Sequence, residues 1–104
     1  MSEQEEDLLT KLNKETARLN WKELEPHFAR GSVIRVSKGV DLIAVAKVIA
    51  EDNTSSLEQW IQQDEVNNAS VEEAKVWADN QSDFWAVVVA PYVIVQETER
   101  KLDS

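Results

Sequence analysis

The sequence predicts an α+β fold: a single small domain, mostly helical with about five helices, and a two- or three-stranded β-sheet that includes the C-terminal apolar segment. Three observations carry this expectation. Residues Phe84 to Val95 form an uncharged run of β-branched and aromatic residues, the composition of strands. Upstream of it, short acidic segments with apolar residues at helical spacing alternate with turn signals. A chain of 104 residues, 42% apolar and 30% charged with two Gly and two Pro, suits one hydrophobic core and no second domain. Residues 1–104 are therefore read as one domain, with 1–6 and 99–104 as frayed tails.

Between Glu3 and Asn20, Leu8, Leu9, Leu12 and Leu19 recur at roughly helical spacing, with acids early and Lys11, Lys14 and Arg18 later. That order suits the helix dipole and predicts a first amphipathic helix. Asn20 and Glu23 then match a capping box, with Leu19 against Leu24 as its hydrophobic staple, so a second helix begins there. Pro26 removes a backbone donor and predicts a kink or split before Gly31 ends the helix. Ser32 to Ser37 alternates, with Val33, Arg35 and Ser37 on one face and Ile34 and Val36 on the other, as a strand does. Val40 to Ala50 is polar only at Asp41 and Lys47, and its length suits a central helix with Asp41 at the N-terminal end. Ser55 with Glu58 and Ser70 with Glu73 are two further capping boxes, opening helices that carry Leu57, Trp60 and Ile61, then Ala74, Trp77 and Ala78. Asp64 to Ala69, with its paired Asn67 and Asn68, reads as a loop between them.

Phe84 to Val89 and Tyr92 to Glu97 complete the chain as strands. Pro91 cannot donate to a sheet ladder, so it marks an edge, a bulge or a turn between the two. Val87, Val88 and Val89 in succession imply burial on both faces, supplied either by covering helices or by a subunit interface.

Composition excludes several functions. Without cysteine there are no disulfides, thiolate metal sites or cysteine nucleophiles. A net charge of -9, with eleven basic residues scattered singly among twenty acids, disfavours nucleic acid and anionic membranes as partners. The acidic start Met1 to Asp7 does not read as a secretory signal, and the apolar run is too short to span a bilayer, so a cytoplasmic location is expected. Gly31 and Gly39 flank a strand eight residues apart and fit no phosphate-binding loop.

The chemistry-bearing residues are sparse. His27 is the single histidine, with Glu23 four residues before it as a weak helical pair; a capping or surface role is the default reading. Adjacent acids at Glu51-Asp52, Asp64-Glu65 and Glu72-Glu73 do not face each other on a helix and read as solvated. No catalytic, metal or cofactor set emerges. The four tryptophans offer more: Trp21, Trp60 and Trp77 are candidates for an aromatic pocket, with core packing as the default. Trp85, Pro91, Tyr92, Gln96 and Glu97 are candidates for an interaction surface, since Trp is enriched at binding hot spots.

Trp21-x-Glu23-Leu24, Gly31-x-Val33-Ile34-x-Val36, Asp41-Leu42-Ile43-x-Val45-Ala46 and, above all, Trp85 to Pro91 followed by Val95-Gln96-Glu97 resemble an uncharacterised bacterial family, domain of unknown function 2288. The resemblance runs from about Leu8 to Glu97, and Tyr92 stands where many members are expected to carry Trp. It implies a bacterial cytoplasmic setting and no catalytic residue. The expected function is thus a small, acidic, non-enzymatic interaction or regulatory module that self-associates, most simply as a homodimer. The alternative is a Trp-lined module for a small ligand, and a third reading is an enzyme built on His27 and carboxylates.

Overall fold

A computed structural model describes residues 16–98 of the chain. Among them the elements run β1 (Ala17–Asn20), α1 (Trp21–Ala29), β2 (Val33–Val36), α2 (Leu42–Ala50), α3 (Thr54–Gln62), β3 (Val66–Asn68), α4 (Val71–Asn80), β4 (Asp83–Val89) and β5 (Tyr92–Glu97). The strands form one mixed sheet in the order β1-β4-β5-β2-β3, parallel only between β5 and β2. The expectation of a mostly helical domain with about five helices and two or three strands is therefore corrected: four helices flank a five-stranded sheet. Leu8, Leu9 and Leu12 of the first expected helix lie outside the described residues. Its last residues are strand β1, because Leu19 faces Phe84 across the sheet and packs on the core beside it.

Alternation along β4 and β5 supplies two cores. Phe84, Ala86, Val93 and Val95 point to one face, where Trp21 and Leu24 of α1 and Ala74 and Trp77 of α4 cover them. Val87 and Ile94 point to the other, where Leu42, Val45 and Ala46 of α2 pack with Val36 and Val66. Helices thus lie on both faces of the hairpin, but the burial expected of the three successive valines holds only in part: Val87 is fully buried, whereas Val88 is 60% exposed. Pro91 stands in the turn of that hairpin, after a cis Ala90–Pro91 bond. Because β4 lies between β1 and β5, and β5 between β4 and β2, the C-terminal segment is the middle of the sheet, not an edge.

A side chain caps the start of each of the four helices, three of them at the residue the sequence predicts. Asn20 and Glu23 close a reciprocal box (3.0 and 2.9 Å), as do Ser70 and Glu73 (3.0 and 3.1 Å). Asp41 Oδ1 accepts from the Ile43 and Ala44 amides. The Ser55–Glu58 box does not form; α3 starts earlier, with Asn53 Oδ1 accepting from the Ser56 amide, so Ser55 lies inside the first turn. Helix α1 runs unbroken through Pro26, which sits on its exposed side where water reaches the carbonyl left without a donor.

All four helices end the same way. A residue turns left-handed, just after the cap in α1, α2 and α3 and at the cap itself, Gln81, in α4, and the next amide reaches back: Ser32 to the His27 carbonyl, Asn53 to Val48, Glu65 to Trp60 and Ser82 to Trp77. Gly31 takes the turn without strain, but Asp52, Asp64 and Gln81 adopt positive φ of 59, 58 and 52°. No glycine announces these three ends.

Two outcomes follow for stability in urea or thermal unfolding. Phe84→Ala, which empties the fully buried meeting point of β4 and Trp77, costs about 3–5 kcal/mol. Gln81→Gly stabilises by about 0.5–1 kcal/mol, because relief of a left-handed side chain outweighs the loss of exposed side-chain contacts such as the hydrogen bond to the Ala78 carbonyl.

Candidate functional site

The tryptophans do not gather. Trp21 and Trp77 lie in the α1–α4 core, 6.1 Å apart between ring centroids, with Phe28 and Phe84 completing a chain of tilted and edge-on contacts. Trp60 packs in the other core, across the sheet. Of the three, Trp21 and Trp77 are brought together and Trp60 is separated from them by the strands.

Trp85 differs from all of them: it is 41% exposed, on the same sheet face as Val87 but beyond the reach of α2. Arg18 of β1, its cross-strand neighbour, holds its guanidinium 4.9 Å from the ring centroid. Asp83, two residues along β4, stands 4.0 Å from the same guanidinium, both side chains being about one-third exposed. On the other side Trp85 faces Gln96, whose amide donates to the Ser37 and Val40 carbonyls (2.8 and 2.6 Å) and so pins the loop carrying Lys38 and Gly39 beside the ring. A shallow cavity of about 130 Å³ lies between Trp85, Gln96, Lys38 and Gly39. Of the predicted surface residues, Trp85 and Gln96 are thus adjacent. Glu97 also lines this cavity, while its carboxylate accepts from Ser82 Oγ at 2.8 Å; Pro91 and Tyr92 lie at the far end of the hairpin. Sequence pattern singles out neither Arg18 nor Lys38; Arg18 has the position of a helix-end cation, and only the strand pairing places it over the indole.

A second concavity, about 220 Å³, opens where α2, the turn after it and α3 meet the sheet. Ile34, Ile49 and Leu57 form its apolar floor, and Asp52, Asn68 and Tyr92 stand at its lining. A smaller hollow of about 90 Å³ shares Ile34, Ile49, Leu57 and Asn68 and runs on past Ile61. In the sequence these aliphatic residues carry the spacing of ordinary core positions, and nothing there signals that two helices leave space between them.

Other polar groups hold the fold. Arg35, on β2, donates through Nη1 to Ser37 Oγ and the Asp64 carbonyl (both 2.9 Å) and through Nη2 to Asp64 Oδ1 (3.0 Å). Its Nε lies 2.7 Å from Glu73 Oε2, an ion pair without the alignment of a hydrogen bond. Hydrogen bonds from Asn67 and Arg35, and the Arg35 charge, hold the Asp64 carboxyl below the usual aspartate range. His27 has the Arg30 guanidinium 3.0 Å from its Nδ1, and among the described residues no carboxylate forms an ion pair with it. Among the described residues no group of three or more His, Asp or Glu is placed to hold a metal ion, and no helix is long and apolar enough to cross a membrane.

The family model described as "Protein of unknown function (DUF2288)" matches residues 7–97. The solution structure of PA1075 from Pseudomonas aeruginosa, determined by NMR, is similar in sequence and fold: 36% identity, a TM-score of 0.80, and coverage of 100% of this chain and 96% of that one. No curated protein matches the chain.

The Asp64 network has a pH signature. A carboxyl depressed in the folded state contributes stability above its unfolded value and loses it as pH falls through the folded one. Stability from this group is therefore constant at neutral pH and declines from about pH 4 downward. In an NMR titration of the Asp64 carboxyl, Asn67→Ala moves the midpoint up towards the ordinary aspartate value.

Proposed function

The chain belongs to the DUF2288 family of proteins of unknown function, and we propose that it acts in the bacterial cytoplasm as a small non-enzymatic module that self-associates through the sheet face around Trp85. One observation carries this reading: a half-exposed indole, capped by an arginine, stands at the end of a sheet face where the cover given by α2 stops short, while Trp21 and Trp77 are buried at 7% and 4% exposure. Trp and Arg are the residues most enriched at the centres of protein interfaces.

Charge favours a second copy of this chain as the occupant. Self-association of a protein with net charge -9 is opposed by repulsion unless the contact is locally balanced. The Trp85 face meets that condition, with Arg18 and Lys38 beside the ring and Asp83 within reach of Arg18. A two-fold contact brings the same patch against itself, so each Arg18 can exchange a weak internal ion pair for the Asp83 carboxylate of the second copy. Two cations do not make the basic stripe that phosphate backbones require, which keeps nucleic acid disfavoured as partner.

Sedimentation velocity from low to several hundred micromolar tests the reading. The expected result is a concentration-dependent dimer that Trp85→Ser weakens by about 30-fold or more, the size of a hot-spot loss, with unchanged circular dichroism. A wild-type chain that stays monomeric throughout, or a Trp85→Ser chain that dimerises as well as wild type, overturns it.

A further inference from the structure

We propose that the groove between α2, α3 and the β2–β5 face is a binding site for a small organic cation, an ammonium group carried on a monocyclic apolar body. The site is independent of the self-association face, since it shares no lining residue with the surface around Trp85.

Size and floor define the body of the ligand. A dry apolar cavity of about 150 Å³ accommodates benzene, and this groove offers about 220 Å³ over Ile34, Ile49 and Leu57. Those side chains cannot hydrogen-bond, so the part of the ligand resting on them must be apolar. Charge defines its head. Asp52 is the one charged residue of the lining, and no ion pair within the described residues neutralises it. It lies in the turn between the C-terminus of α2 and the N-terminus of α3, whose dipoles oppose each other there, so the carboxylate itself sets the local sign, on a chain whose net charge already repels anions. Tyr92 lines the same groove and offers an aromatic ring, the second group that favours an ammonium head. A carboxylate and a phenol ring around an apolar floor select a cationic amine over its neutral or anionic analogues.

The test uses the full chain and three probes of one shape: benzylamine, protonated at pH 7, benzyl alcohol and benzoate. Chemical shifts of the Ile34, Ile49 and Leu57 methyl groups are followed by NMR in each titration. Benzylamine is expected to shift these methyls saturably and to bind at least about 5-fold more tightly than benzyl alcohol, with benzoate weakest, a discrimination of the size of one exposed charge contact. Asp52→Asn should abolish the preference for the amine while leaving the response to the alcohol. Asparagine tolerates the left-handed turn that Asp52 occupies, so the variant removes charge without changing the backbone. Absence of saturable shifts at these methyls, equal binding of amine and alcohol by the wild type, or a preference that survives in Asp52→Asn would each overturn the proposal.

Discussion

Burial of the β4–β5 hairpin on both faces is the constraint from which the rest of the architecture follows. Its residues alternate between two cores, Phe84, Ala86, Val93 and Val95 to one side and Val87 and Ile94 to the other. A hairpin alone leaves half of these in water. Fully burying one such side chain is worth about 1.5–3 kcal/mol, so each face requires a helical layer and each edge a further strand. β1 and β2 supply the edges, while α1 with α4 and α2 with α3 supply the layers. The acidic helices are amphipathic because each presents one face to this hairpin or its neighbours and the other to solvent.

The connections are held by directed polar contacts rather than by glycine. Arg35 joins β2 to the turn at Asp64 and to Glu73 of α4, so one partly buried cation fixes the register of β3 and the seat of α4 together. Removing a single partner from such a cluster strands the remaining charge, which makes it more consequential than the exposed Lys47–Glu51 pair on α2. Left-handed Asp52, Asp64 and Gln81 give each helix a sharp stop where only α1 has a glycine.

What the sequence makes legible follows from the range of the interactions involved. Strand β2, the two C-terminal strands and α1, α2 and α4 are readable because a capping residue or an uninterrupted pattern declares each within a few positions. β1 and β3 are not. Each is short, and each is extended because a distant partner makes it so: Leu19 opposite Phe84, Val66 opposite Val36. Asn67 and Asn68 favour a turn locally, and the ladder to β2 overrides them. The same limit applies to the candidate sites. Trp85 is visible as an unusual residue in an apolar run, but the arginine over its ring depends on a strand that the pattern assigns to a helix. The groove is invisible because Ile34, Ile49 and Leu57 look like core residues whether or not the helices above them meet.

The uncovered places arise from the lengths of the elements. A nine-residue helix is about 13.5 Å long, whereas a seven-residue strand such as β4 extends about 23 Å, so one helix cannot shield the strand from end to end. On the α2 face, cover reaches Val87 and stops short of Trp85. On the α1–α4 face it reaches Phe84 and Ala86 and leaves Val88 at 60% exposure. A valine left in water is a small and ordinary loss. An indole is a larger one, offset in part by the strand preference of Trp and by the arginine held over its ring. The groove has a parallel cause: it lies beside the turn at Asp52 between two short helices, over Ile34 of β2, with Tyr92 of β5 at its lining. Both exposed features therefore sit where short helices leave the sheet bare.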